Sequence, residues 1–283
     1  MSKHAADADP ASEHVKPYVR EELDARSLHF SVSEIQSRMQ ILRPDVLELE
    51  YTRTMMGFLM FRSEPRHIAM IGLGGGSLAK FCHHHLPHAA LVVVEINPHV
   101  IALRDAFKVP PDDARFQVVA ADGARFVAET ERRFDVLIVD AFDARGMPAA
   151  LGAQRFYDDC LDALEPGGVL AVNLHAGHPH FAVYLDRIRR SFGEGVLRVD
   201  DSDASNSVIF ACRGGLARHA AGGALRRPAV LAREPWAQLR GAFARVASAR
   251  RQPAPSADSR TGSANVITPS STAPKRSASR SRA

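Results

Sequence analysis

Between His67 and Cys212 the chain alternates between short apolar runs and amphipathic stretches, and this alternation is what most restricts its fold. The runs HIAMIGL, ALVVVEIN, ARFQVVAAD, FDVLIVDAF and GVLAVNL read as strands. SLAKFCHHHL, NPHVIALRDAF, GARFVAETE, GAQRFYDDCLDALE and FAVYLDRIRRSF read as the helices that follow them. Segments such as VVV and VLIV are too apolar for a half-exposed strand. They require a parallel sheet covered on both faces. Two further strands, GVLRVD and NSVIFAC, are joined by the short link DSDAS, which predicts a hairpin and an antiparallel last strand. The expectation is an α/β fold: a seven-stranded, mostly parallel sheet with helices on both faces. The helix over GAQRFYDDCLDALE is expected to stop at Pro166-Gly167-Gly168, and Pro98 to start its own helix.

Such a sheet binds ligands outside the carboxyl ends of its strands, so the residues at the strand tips are the candidates. After the first strand, Gly72, Gly74 and Gly76 permit a sharp turn and a close backbone approach, backed by a helix N-terminus. No Gly-Lys-Ser/Thr follows, which excludes a P-loop. Glu95 ends the second strand about 20 residues on, where an acid accepts ribose hydroxyls. Asp122 ends the third, with Gly123 leaving room for an adenine ring. Asp140 ends the fourth, with Asp143 three residues later. Each residue also has a plain structural use, as a tight turn or a helix cap. Taken together, in order, they point to an adenine nucleoside that carries a cation near Asp140. A sulfonium nucleoside, S-adenosylmethionine or its decarboxylated form, fits better than NAD.

The flanks are simpler. Residues 1–26 are polar and aperiodic and are expected to be disordered. Residues 27–61 suggest a small extension, with a hairpin or edge strands in LHFSVSEIQSRM and a helix from about Pro44. Residues 62–215 form the catalytic nucleoside-binding domain. Residues 216–250 form a helical extension with Trp236, Leu239, Phe243 and Val246 on one face, and residues 251–283 a disordered basic tail. The net charge of +4 is concentrated in that C-terminal part, without an aromatic platform, which argues against a nucleic-acid partner. No apolar run approaches the ~20 residues of a membrane span, and the start has no signal-like apolar core. The 3 Cys are few and scattered, as expected in the cytoplasm. His83, His84, His85 and His88 suggest a metal cluster, but consecutive helical residues diverge, so they read as a solvated helix end and no metal is expected. Cys160 has no adjacent base and is not expected to act as a nucleophile.

The chain resembles the spermidine synthase, or polyamine aminopropyltransferase, family over roughly residues 27–215. The resemblance is carried by the Gln36-Ser-Arg segment, Tyr51-Thr-Arg, IGLGGGS, VVVEIN, AADGARF, and above all VDAFDARGMP and RFYDDCLDALEPGGVLAVN. It implies the class I methyltransferase variant of the Rossmann-like fold, with decarboxylated S-adenosylmethionine as cosubstrate and a small amine as acceptor. Glu95 would hold the ribose, Asp122 with Gly123 the adenine side, and Asp140 would accept the proton. Gln36, Tyr51 and Asp143 would hold the amine, in a homodimer. Gly75 stands where the family carries an Asp that grips a diamine, and Thr52-Arg53 stand where it carries His-Glu or Gln-Glu. Arg53 would add positive charge to an amine site. A methyltransferase using intact S-adenosylmethionine is the alternative, and a degenerate nucleoside-binding module a third reading.

Overall fold

The computed structural model describes residues 14–31, 35–142, 146–216 and 225–251. The expected disorder of residues 1–13 and 252–283 lies outside them. An antiparallel sheet of β1 (Tyr18–Glu21), β2 (Ala25–His29) and β3 (Ser37–Gln40) comes first. It is followed by α1 (Glu50–Met55) and a 3-10 turn, Met56–Met60. The main sheet contains β4 (His67–Ile71), β5 (Ala90–Glu95), β6 (Phe116–Ala120), β7 (Phe134–Val139), β8 (Leu164–His175), β9 (Val196–Asp200) and β10 (Asn206–Cys212). Its order is β6-β5-β4-β7-β8-β10-β9. The first five pair in parallel, and β10 runs antiparallel to both β8 and β9, as the DSDAS link implied. The helices are α2 (Ser77–His85), α3 (Pro98–Ile101), α4 (Gly123–Glu129), α5 (Gln154–Ala163), α6 (Phe181–Phe192) and α7 (Arg233–Arg251).

Alternate residues of the sheet feed two apolar cores. Ile68, Met70, Val136, Ile138 and Phe210 pack towards α2, the 3-10 turn and α7. Ala69, Ile71, Leu137, Val139 and Ile209 pack towards α4, α5 and α6. Every residue of β7 is buried, which explains the apolar run Val136–Val139 after Asp135. The chain moves outward from β4 to β5 and β6 and then returns to β7 on the other side of β4. Strand order therefore reverses between β4 and β7, and a crevice opens above their carboxyl ends.

The structure departs from expectation in several local places. β1 lies inside the stretch expected to be disordered. Its Tyr18 stacks on His29 at 5.0 Å, and its polar composition suits an edge strand. α1 begins at Glu50 rather than near Pro44, because Leu49 ahead of it is extended. α3 is a single turn, followed by hydrogen-bonded turns up to Lys108, whose φ of 53° ends them before Pro110. α5 stops at Ala163, ahead of Pro166-Gly167-Gly168. Those residues lie within β8, where the missing proline N–H and a φ of +79° at Gly167 accompany a shift in the β7–β8 register.

α7 packs on α1, with Leu239, Phe243 and Val246 buried and Trp236 edge-on to Phe243 at 5.3 Å. Arg245 pairs with Glu50 at 3.0 Å and donates to the Thr54 hydroxyl at 3.0 Å. Glu50 in turn accepts from the Ser202 N–H at 2.9 Å and the Ser202 hydroxyl at 2.6 Å.

Asp135, buried at the start of β7, accepts from the backbone N–H groups of Arg66 (2.6 Å) and His67 (3.0 Å) and pairs with Arg62. Burial alone would raise its pKa, but these donors hold it below the ordinary carboxylate value. Its stabilisation is therefore complete above the unfolded-state pKa of about 3.9 and is lost as pH falls through the lower folded value. Asp135→Ala is expected to cost about 2–4 kcal/mol in chemical denaturation at pH 7, with a smaller difference from the parent protein at pH 3. An unchanged midpoint at pH 7 would count against this anchor.

Candidate functional site

The crevice is a cleft of about 680 Å³. The β4–α2 turn forms its floor. Gly72, Gly74 and Gly76 have φ of +98°, +51° and +67°, a region that side chains disfavour. A Cβ at Gly72 would overlap the carbonyl of Asp140, so the tips of β4 and β7 meet only because this residue has none. Gly76 caps α2 and faces Val109, behind the cleft rather than in it.

Glu95, at the tip of β5, is buried and reaches back over this turn. Its Oε2 accepts from the Leu73 N–H at 2.9 Å and its Oε1 from the Asn97 N–H at 2.8 Å. A carboxylate has about four acceptor sites, so capacity remains for two ligand hydroxyls. Asp122 lines the cleft and also caps α4, its Oδ1 accepting from the Arg125 N–H at 2.8 Å. Gly123 lines it too, but a Cβ there would overlap Ile71 Cγ2. The packing of α4 on β4 therefore requires a glycine here.

Asp140 follows β7, and its N–H donates to the Ile71 carbonyl at 2.9 Å. Its Oδ2 accepts from the Tyr51 hydroxyl at 3.2 Å, and its Oδ1 accepts from Asn173 Nδ2 at 3.0 Å. Burial pushes its pKa up to about 6, against the opposing pull of these two donors. Tyr51 is pushed well above its ordinary value, first by burial and then by the charge on Asp140, so its phenol stays a donor. Asn173 Oδ1 is buried in the same wall without a hydrogen-bond partner. The charged residues lining the cleft, among those described, are Glu95, Asp122 and Asp140. Such a site favours a cation and orients a diol.

A family model described as spermine/spermidine synthase domain matches residues 48–187. A polyamine aminopropyltransferase of Chromobacterium violaceum is 39% identical over 196 residues, which are 69% of this chain and 75% of the relative. The chain belongs to the spermidine synthase family. Among solved structures, a probable spermidine synthase from Corynebacterium glutamicum superposes with a TM-score of 0.61 at 19% identity, covering 69% of this chain and 76% of that one. Human methyltransferase-like protein 13, in complex with SAH, superposes with a TM-score of 0.54 at 22% identity, covering 75% and 97%. These two likenesses are of fold, and they agree with the expected methyltransferase-type sheet.

Against the family pattern, two substitutions have local explanations. A Cβ at Gly75 would stand 2.5 Å from Ser37 Oγ and 2.9 Å from Phe107. The Ser37 hydroxyl fills that space and sits 3.2 Å from Ser77 Oγ. Arg53 does not face the cleft. Its Nη1 donates to the carbonyls of Leu47 (2.6 Å) and Glu48 (2.9 Å), so the expected repulsion of an amine does not arise from it. Gln36 and Tyr51 line the cleft. Asp143 lies outside the described residues. Cys160 is buried in α5, its thiol pushed well above the ordinary value by burial, which suits packing rather than nucleophilic attack. Sequence reasoning missed Asn173. The signal was available: it is the one polar side chain in the run VLAVNL, on a strand buried on both faces.

If Asp140 must be ionised for turnover, kcat/KM of the free enzyme rises with pH through an apparent pKa near 6. Tyr51→Phe removes a donor that lowers this pKa, so the rising limb moves to higher pH. A pH–rate profile of both proteins checks the direction, and a shift to lower pH would contradict the assignment.

Proposed function

We propose that this protein transfers an aminopropyl group from decarboxylated S-adenosylmethionine to a small amine, with Asp140 as proton acceptor. The observation that carries this reading is a carboxylate, fixed by Tyr51 and Asn173, at the mouth of a cleft whose described charges are all negative. Family membership supports the reaction type. The donor supplies a carbon made electrophilic by an adjacent sulfonium, together with a neutral thioether as leaving group.

The chain's own residues supply the rest. Glu95 accepts from the ribose hydroxyls while its hydrogen bond to Leu73 keeps the glycine turn in place. Asp122 accepts from the adenine side. Gly72 and Gly74 let the backbone lie close to the nucleoside. Asp140 binds the acceptor ammonium, whose ordinary pKa is near that of lysine at about 10.4, and takes its proton. The freed nitrogen lone pair forms the new C–N bond as the C–S electrons return to sulfur. Asn173 Oδ1, an orphaned acceptor, offers the amine a second hydrogen bond, and Gln36, Tyr51 and Asp143 complete the acceptor side. Holding the nitrogen, the carbon and the leaving sulfur in line, with the carboxylate beside the nitrogen, lowers the entropic part of the barrier.

The acidic lining also favours the decarboxylated donor. The carboxylate of the intact cofactor lies on the sulfonium side and would bring a second negative charge towards Asp140, and Arg53 is turned away from the cleft. The three described cysteines are free and buried, which suits a reducing compartment, and we place the enzyme in the cytoplasm. Among the described residues no helix is long and apolar enough to cross a membrane. The family resemblance further supports a homodimer.

Asp140→Asn is expected to lower turnover at least about a thousandfold while the affinity for methylthioadenosine stays within about threefold, by calorimetry. Loss of binding in proportion to rate would contradict a base role. In the same titration the parent protein is expected to prefer the decarboxylated donor. Tight binding of the intact cofactor alone would favour methyl transfer.

A further inference from the structure

The last turn of α2 carries three consecutive histidines, and the structure gives them different surroundings. His83 turns to Asp113, its Nε2 3.1 Å from Oδ2. His85 is half-buried against Phe81, at 4.5 Å between ring centroids, and its Nε2 lies 3.0 Å from Asp45 Oδ2. His84 is exposed and stands edge-on to His85 at 4.6 Å. Asp45 comes from the segment ahead of α1, 39 positions before His84, so no local pattern announces it. One ligating atom from each of Asp45, His84 and His85 lies within 4.8 Å of the others. The reading of these histidines as a solvated helix end is thereby corrected for His85.

We propose that Asp45, His84 and His85 bind a zinc(II) ion, at a site separate from the nucleoside cleft. Two imidazoles and a carboxylate are a donor set that zinc accepts, with a fourth position for another ligand. An ion bridging His85 and Asp45 with tetrahedral bonds of about 2.0–2.2 Å needs a nitrogen–oxygen separation of about 3.4 Å, so the present contact opens by about 0.4 Å. The His84 atom, within 4.8 Å of the other two, closes by up to about 1.4 Å to reach the same separation. The ligand imidazoles must be unprotonated.

The other charged groups facing this spot are Glu234 and Lys80. Glu234, in the first turn of α7, acts on His85 as a negative charge. Lys80 lies one turn back on α2 and feels Asp45. Its amine donates to the Phe107 carbonyl at 2.7 Å, and burial brings its pKa to about 7, which reduces the positive charge opposing an ion. A bound ion would join the segment before α1 to the far end of the helix that starts at the glycine turn, with α7 alongside. Its role is that of a structural clamp and requires no part in the transfer chemistry.

The test is a titration of chelator-treated full-length protein with cobalt(II), followed by displacement with zinc(II). One saturable equivalent is expected, with the visible absorption of tetrahedral cobalt. His84→Ala and Asp45→Asn should each weaken it at least about tenfold, while His83→Ala and His88→Ala leave it unchanged. Because His84 is exposed, His84→Ala should keep the parent circular dichroism spectrum and so report ligation rather than folding. The proposal is overturned if the parent shows no saturable equivalent, or if His84→Ala and Asp45→Asn bind as the parent does.

Discussion

The crossing of Gly72 beneath the carbonyl of Asp140 is the constraint on which the rest of the site depends. β4 and β7 are neighbours in the sheet, and their tips must diverge to open a crevice. They do so while still in contact, since the Asp140 N–H is bonded to Ile71 and no side chain intervenes at residue 72. The glycine turn and the carboxylate facing the cleft are thus held by one backbone junction. Glu95 adds a second tie, from β5, by accepting from Leu73 in the same turn. The relative position of cleft floor and acid is therefore a property of the sheet rather than of loop conformation. Such rigidity suits a reaction that depends on alignment.

Much of this was legible in the amino-acid order. The apolar runs VVVE and VLIVD are unmistakable because both faces of their strands are covered, and the strand tips Glu95, Asp122 and Asp140 follow from the runs. What was not legible depends on contacts distant in sequence. Tyr51 lies 89 positions from Asp140, and Asn173 lies 33 from it. Their convergence needs the order of β7 and β8 and the placement of α1. Gly75 and Arg53 were misleading for the same reason. Their meaning rests on Ser37 filling the space beside one, and on the carbonyls of Leu47 and Glu48 holding the other. Polar β1 was hidden because an edge strand needs little apolar surface.

The electrostatic character of the cleft is also built from several elements. Glu95, Asp122 and Asp140 come from three strand tips, and the last is half-buried between a phenol and an amide. Two opposed effects set its affinity for protons: desolvation favours the neutral acid, and the two donors favour the anion. Desolvation is the larger of the two, and it places the group where it exchanges protons near pH 6.

The pairing of Arg245 with Glu50 and Thr54 reaches further than its surface position suggests. Glu50 directly precedes Tyr51 and also holds Ser202 of the β9–β10 loop. The closing helix of the described chain is therefore mechanically linked to the phenol that steadies Asp140. Loss of Arg245 would loosen the residue next to that phenol, so part of the cleft wall rests on a helix outside it.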